Sequence, residues 1–223
     1  MPADLVDFFR TSLLILGALF PIVNPLGNAP VFLALTREFS SATRTHLASR
    51  IAFNSFVLLI VSILIGTHIL AFFGISLPVV QVAGGMVVLA TSWGALTRRD
   101  DDDGGYHETR RPPTAADLSQ RAFYPLTLPL TVGPGSISVA IAIGANRPQG
   151  IQTDLPVLAA TVAGSVLLAL AVYISYRFAE SVARLLGETA MNIITRLSSF
   201  ILLCIGVQIA WNGISALVRQ VVK

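Results

Sequence analysis

The sequence predicts an all-α polytopic membrane protein with six transmembrane helices in two inverted three-helix repeats, in which helices 1 and 4 are broken. Three features support this fold class: long stretches without charge, basic residues concentrated in alternate connections, and a proline motif that occurs twice. Only 12% of the 223 residues are charged, about half of the roughly 25% that is usual for a soluble domain. The composition therefore argues against an ordinary soluble enzyme.

The transmembrane helices are predicted from stretches that contain no Asp, Glu, Lys or Arg. There are five such stretches: residues 11–36, 51–97, 122–146, 155–176 and 197–218. A helix that crosses the hydrocarbon core needs about 20 apolar residues. The second stretch is long enough for two helices, divided near Gly74 and Pro78, which gives six.

The distribution of basic residues predicts the orientation of the chain. Eleven of the fifteen Lys and Arg residues lie in the connections that follow spans 1, 3 and 5. Basic residues in short loops favour the cytoplasmic side. We therefore expect both termini to be periplasmic and the protein to lie in a bacterial cytoplasmic (inner) membrane.

The connections divide the chain into three parts. Residues 1–97 form a first three-helix repeat, residues 98–120 a cytoplasmic loop, and residues 121–223 a second, inverted repeat. The loop includes the acidic run 100–103, which we interpret as solvated because runs of like charge usually are. Apolar residues at helical spacing in 176–191 predict a short helix on the membrane surface, a known arrangement for amphipathic helices.

The internal repeat is visible as a proline motif in spans 1 and 4. A shift of 104 residues superposes Pro21, Pro25 and Pro30 on Pro125, Pro129 and Pro134. The same shift carries span 2 onto span 5, whereas span 3 needs about ten further residues to reach span 6. Because each repeat has an odd number of spans, the second copy enters the membrane from the opposite side, as in many secondary transporters.

The six prolines predict breaks in helices 1 and 4. Proline has no N–H and clashes with the preceding turn, and irregular backbone at membrane depth is tolerated where it is buried in protein or lines a cavity. Two matching breaks favour a binding site over simple proline kinks. Its predicted residues are Asn24, Gly27, Asn28, Thr131, Gly133, Gly135 and Ser136.

These residue types suit a small zwitterion. The N–H groups that follow Gly27 and Gly133 begin new helices, and helix N-termini attract anions such as a carboxylate. Asn24, Asn28 and Thr131 would accept or orient the ammonium group. Polar side chains in membrane helices often serve only helix–helix hydrogen bonding, so a purely structural role for the asparagines stays open.

Other chemistries have little support in the sequence. No predicted span contains an Asp, Glu, Lys or Arg residue that could act as a proton relay. The single cysteine, Cys204, is interpreted as a buried, inert thiol. We therefore expect no enzyme activity, no metal site and no cofactor; a coupling ion would be H⁺ or Na⁺. The expected partners are the zwitterionic substrate and the lipid bilayer, with no nucleic acid, and a homo-oligomer is compatible with the pattern.

At three places the chain resembles the MarC-type family, multiple antibiotic resistance-related membrane proteins also described as small neutral amino acid transporters. The matching segments are FPIVNPLGNAPVFLALT (20–36), YPLTLPLTVGPGSISVAIAIG (124–144) and RLSSFILLCIGVQIAWNGI (196–214). One departure is the pair Ser198 and Ser199, where the family pattern leads us to expect glycine. The resemblance covers nearly the whole chain and implies six spans, inverted repeats and a plasma-membrane location.

The function expected from these observations is secondary transport of glycine- or alanine-like amino acids by alternating access. Two alternatives stay open: a non-transporting membrane scaffold or envelope-stress factor, and an exporter of drugs or small metabolites. A drug pocket would need aromatic lining, which the residues around the predicted breaks do not provide.

Overall fold

The structure is a computed structural model that describes residues 3–97, 115–146 and 155–221. Every regular element in these ranges is helical. Eight α-helices and one π-helical segment follow one another: α1 Ala3–Val23, α2 Pro25–Leu35, α3 Ser41–Phe72, α4 Leu77–Thr97, α5 Ala115–Arg121, the π-helical segment Ala122–Thr131, α6 Pro134–Ala145, α7 Leu155–Arg177 and α8 Ala179–Val221.

Five helices of the described chain are long and apolar enough to cross a membrane. They lie at Leu5–Val23, Ser41–Phe72, Leu77–Thr97, Leu155–Arg177 and Thr189–Val221. A sixth span is formed if Asp117–Thr131 and Pro134–Ala145, which are bent by 70° relative to each other, cross as one unit. The all-helical membrane fold is therefore confirmed with five or six spans, and the inverted repeat stays a prediction.

The helices pack around two long, central ones, α3 and α7. Helix α3 contacts α6, α7 and the π-helical segment, and α7 contacts α1, α2 and α3. Helices α4 and α8 pack extensively against each other; α4 also contacts α6, and α8 also contacts α2. The buried core lies where α1, α2, α3, α7 and the π-helical segment meet, and includes Leu19, Phe32, Leu59, Val132 and Tyr176. This arrangement brings α2 and the π-helical segment together inside the bundle.

The regions outside the spans differ from expectation in two respects. The predicted loop 98–120 ends in helix α5, which begins at Ala115, while the acidic run 100–103 lies outside the described residues. The predicted surface helix 176–191 is a short segment of α8 that begins at Ala179 and ends at Gly187, where φ is 75°. Tyr176 belongs to α7 and is buried, so it is not part of that surface.

Cys204 also differs from expectation. It lies on an exposed face of α8, because the buried face of this helix at that level is formed by Gly206, Ile209 and Ala210. The interpretation of Cys204 as a buried thiol was wrong.

Candidate functional site

The first interruption of the helices is a single residue, Asn24. It adopts a left-handed conformation (φ 46°, ψ 56°) between the end of α1 and the start of α2. Its side-chain Oδ1 accepts a hydrogen bond of 3.2 Å from the N–H of Gly27. Asparagine tolerates this conformation better than most residues and is a preferred N-cap. Asn24 therefore both ends one helix and starts the next.

The interruption is limited to one residue, and the positions of the three prolines around it explain why. Pro25 is the first residue of α2, where a missing N–H costs nothing because that group has no partner in a helix. Pro21 and Pro30 lie inside α1 and α2. Between the start of α1 and the end of α2, only the backbone of Asn24 leaves the helical region.

The second interruption is longer and lies in the π-helical segment. Tyr124 and Leu128 have extended backbone angles, and each precedes a proline, Pro125 or Pro129, in a cis peptide bond. The residue before proline is disfavoured in the helical region. Gly133 is extended (φ −91°, ψ 177°), and Pro134 is the first residue of α6.

The amide group of Asn28 joins the two interruptions. Its Nδ2 donates to the carbonyl oxygen of Val23 at 3.0 Å and to that of Leu130 at 2.9 Å. Val23 is the last residue of α1, and Leu130 lies in the π-helical segment, 102 positions after Asn28. Both hydrogens of the amide are used, while its Oδ1 has no hydrogen-bond donor among the described residues. Asn28 thus ties the two halves together, and Oδ1 is the unused hydrogen-bonding atom of its amide.

Two backbone N–H groups at the start of α6 have no acceptor among the described residues. Gly135 and Ser136 are buried, and no side chain caps this helix. The N–H of Ile137 reaches back to Gly133 at 3.1 Å, whereas those of Gly135 and Ser136 have no acceptor in the described chain. Gly135 also packs closely on α4, since a Cβ there would overlap the side chain of Val88.

The N–H groups at the start of α2 are already hydrogen-bonded within the protein, unlike those at the start of α6. The N–H of Gly27 is taken by Asn24 Oδ1, and that of Asn28 by the Asn24 carbonyl oxygen at 3.0 Å. Side-chain capping therefore removes most of the anion-binding capacity expected there. The Nδ2 of Asn24 has no acceptor among the described residues and is the remaining polar donor. Gly27 packs against Ser198 of α8, so serine in place of the expected glycine is accommodated because Gly27 has no side chain.

Thr131 is buried, and its hydroxyl is hydrogen-bonded within the protein. Its Oγ1 is hydrogen-bonded to the carbonyl oxygen of Leu126 at 2.7 Å and to the hydroxyl of Tyr176 at 2.8 Å. The ring of Tyr176 is stacked on Phe32 of α2, with centroids 4.6 Å apart and planes at 6°. The hydroxyl of Thr131 thus donates one hydrogen bond and accepts another within the protein.

Sequence reasoning missed Tyr176 and Phe32. The helical spacing of apolar residues places Tyr176 at the start of the predicted surface segment 176–191. The only signal that would have singled it out is a polar aromatic residue at the end of a charge-free stretch, and that signal is weak because tyrosine is common at membrane interfaces.

Further polar side chains form pairs away from the interruptions. Asn54 Nδ2 donates to Thr127 Oγ1 at 3.4 Å, which connects α3 to the π-helical segment. Gln208 Nε2 donates to Asn212 Oδ1 at 2.8 Å on the exposed face of α8. The second pair lies within one helix.

The all-helical fold and its five or six apolar spans define a polytopic α-helical integral membrane protein. Residues 9–218 match the family model described as MarC family integral membrane protein. The chain therefore belongs to the MarC family.

Several relatives are similar over nearly their whole length. The chain is 31% identical to the UPF0056 membrane protein of Archaeoglobus fulgidus over 216 residues, covering 96% of this chain and 95% of the relative. It is 29% identical to the UPF0056 inner membrane protein MarC of Escherichia coli O1:K1, covering 96% and 99%. The UPF0056 membrane protein of Methanocaldococcus jannaschii is 32% identical, with coverage of 91% and 95%. These names place the relatives in membranes without stating an activity, and no solved structure matches the chain.

Proposed function

We propose that the protein is a secondary transporter of small neutral amino acids, such as glycine and alanine, across the cytoplasmic membrane by alternating access. The observation that carries the proposal is the pair of hydrogen bonds from Asn28 to Val23 and Leu130. They join two non-helical interruptions, one from each half of the chain, inside the bundle. Helix interruptions that meet between two repeats are where many secondary transporters bind their substrates.

The hydrogen-bonding groups left over at the interruptions suit a zwitterion. Donors remain on Asn24 Nδ2 and on the buried N–H groups of Gly135 and Ser136, and an acceptor remains on Asn28 Oδ1. The donors would meet a carboxylate and the acceptor an ammonium group. A substrate with net charge would need an opposing ion, because an unpaired charge in a low-dielectric site is costly.

The helix contacts support an internal repeat of inverted topology. Exchanging α1 with the π-helical segment, α2 with α6, α3 with α7, and α4 with α8 converts each main contact into another. The α3–α6 contact becomes α7–α2, α4–α6 becomes α8–α2, and α1–α7 becomes the contact of the π-helical segment with α3. The α3–α7 and α4–α8 contacts are each converted into themselves, as a two-fold relation requires.

Close contacts between α4 and α8 follow the same exchange. A Cβ on Gly85 would meet the backbone of Gly206 and Ala210, and a Cβ on Gly206 would meet the backbone of Gly85 and Leu89. A shift of 121 residues superposes Gly85 on Gly206 and Leu89 on Ala210. This shift exceeds 104 by seventeen residues, more than the ten expected, and the extra residues correspond to the start of α8. Rocking of the halves about such an axis would give alternating access.

A non-transporting scaffold is the second candidate, and one observation favours it. Both amide hydrogens of Asn28 and both hydrogen-bonding capacities of Thr131 are satisfied inside the protein. In a scaffold these groups would only stabilise the interruptions. A drug exporter receives less support, because the residues around the interruptions are mainly small or polar.

The proposal is tested by uptake of radiolabelled alanine into proteoliposomes that contain the purified protein. Glycine and serine should compete with alanine, whereas glutamate, lysine and tryptophan should not. Substituting Asn24→Gly keeps the left-handed backbone accessible and removes the side chain, so uptake should fall while the protein stays folded. Asn212→Leu on the exposed face of α8 is the matched control and should leave uptake unchanged.

Three results would contradict the proposal. Absence of uptake under any ion gradient, with the protein folded, would favour the scaffold. Competition by glutamate as strong as that by glycine would remove the argument for a neutral substrate. Equal uptake by the Asn24→Gly variant and the wild type would leave Asn24 with a structural role only. Imposing a proton or a sodium gradient separately identifies the coupling ion.

A further inference from the structure

A groove lies between α3 and α7 on the outside of the helix bundle, away from the interruptions. It has a volume of about 330 Å³ and is lined mainly by apolar and aromatic side chains. Its lining includes Ser49, Phe53, Phe56, Ala169, Leu170 and Tyr173. Phe53 is 66% exposed and Leu170 48% exposed, so the groove opens towards the surrounding lipid.

The two helices that form the groove run antiparallel. The ion pair between Arg44 and Glu180, at 2.9 Å, joins the first turn of α3 to the residues just after α7. Ser49 and Tyr173 therefore lie near the same end of the groove. Most basic connections of the chain are at this end, which the positive-inside rule places at the cytoplasmic surface.

An arginine lies next to this end. The guanidinium carbon of Arg177 is 5.9 Å from the ring centroid of Tyr173, which lines the groove, and 5.8 Å from that of Phe178. Arg177 is exposed and has no carboxylate within ion-pair distance in the part of the chain that the structure describes. Glu180, the nearest acidic residue in sequence, is paired with Arg44. A guanidinium stacked on aromatic rings still presents its in-plane N–H groups to an anion.

We propose that this groove binds an anionic phospholipid of the adjacent leaflet, with an acyl chain along Phe53, Phe56 and Leu170 and the phosphate group on Arg177. The apolar lining matches a hydrocarbon chain, and the unpaired positive charge matches a phosphodiester. Basic sites between transmembrane helices on the cytoplasmic side are suited to anionic headgroups. A free phosphate ion would use only Arg177 and leave the apolar groove without a function. A bound lipid would lie across α3 and α7, the helices that link the two halves of the bundle.

Native mass spectrometry of the delipidated protein with added phosphatidylglycerol or phosphatidylcholine tests the proposal. The wild type should retain phosphatidylglycerol preferentially. Arg177→Ala should lower the retention of phosphatidylglycerol about fivefold, since one basic side chain near the surface is worth roughly 1 kcal/mol, and should leave phosphatidylcholine unchanged. Arg184→Ala, which removes an exposed arginine from the first segment of α8, is the matched control and should have little effect.

A second pair of variants tests the apolar part of the groove. Ala169→Phe would fill the groove and should lower the retention of both lipids, whereas Ala159→Phe, on an exposed part of α7 outside the groove, should change neither. Equal losses for Arg177→Ala and Arg184→Ala would show attraction to surface charge in general and overturn the proposal. So would unchanged lipid retention in the Ala169→Phe variant, or a change in oligomeric mass in place of lipid loss.

Discussion

Replacing Asn28 by leucine is the most informative perturbation of the interruptions. Leucine keeps a similar volume but removes the Nδ2 donor that bonds the carbonyl oxygens of Val23 and Leu130. Both carbonyl oxygens then lose this donor. Side-chain hydrogen bonds in membrane proteins contribute about 0.6 kcal/mol on average and up to about 1.7 kcal/mol. The loss of two should therefore destabilise the protein by about 1–3 kcal/mol.

The assay is thermal or denaturant-induced unfolding of the purified protein in detergent micelles, combined with alanine uptake by the same preparation. Asn54→Leu is a matched control, because Asn54 makes one longer hydrogen bond of 3.4 Å to Thr127 and should cost less. Asn28→Asp separates the two functions of the side chain: it keeps Oδ1 but replaces the donor by an oxygen facing two carbonyl oxygens. The Asn28→Asp substitution should destabilise the protein at least as much as Asn28→Leu does.

The reasoning would be refuted if Asn28→Leu and Asn54→Leu had equal stabilities, or if Asn28→Asp were as stable as the wild type. Either result would mean that the amide of Asn28 does not hold the two interruptions together. Normal stability with lost uptake in Asn28→Leu would assign Asn28 to the substrate alone.

Three further predictions follow from the same geometry. Asn24→Gly should cost only a few tenths of a kcal/mol, while Asn24→Leu should cost about 1–3 kcal/mol because it loses the cap and strains a left-handed position; comparative unfolding would measure the difference, and equal costs would contradict it. Tyr176→Phe removes the bond to Thr131 and keeps the stacking on Phe32, so unfolding should become easier by about 1 kcal/mol; no change would mean that this bond contributes nothing. Reporter fusions after Lys223 should be periplasmic and fusions within 100–117 cytoplasmic; a cytoplasmic C-terminus would contradict the inverted repeat.

The spans and the positions of the interruptions could be predicted from the sequence because both follow from local chemistry. A bilayer core excludes charge, so the charge-free stretches locate the apolar parts of the spans, although α3 begins at Ser41, ten residues before its stretch 51–97. Proline lacks an N–H whatever its surroundings, so the motifs around Pro25 and Pro129 locate the two interruptions. Asn24 and Asn28 were singled out because they lie within the first motif, and the structure places both at the interruption.

The tertiary structure decided which hydrogen-bonding groups are free at the interruptions. Asn28 bonds to Leu130 across 102 residues of sequence, and Thr131 bonds to Tyr176 across 45. Spacing along the chain contains no information about such pairs, because they arise only when distant helices pack against each other. The sequence by itself determined that the protein is helical and membrane-embedded. Which polar atoms remain for a ligand depended on the packing, since each buried donor or acceptor first finds a partner within the protein.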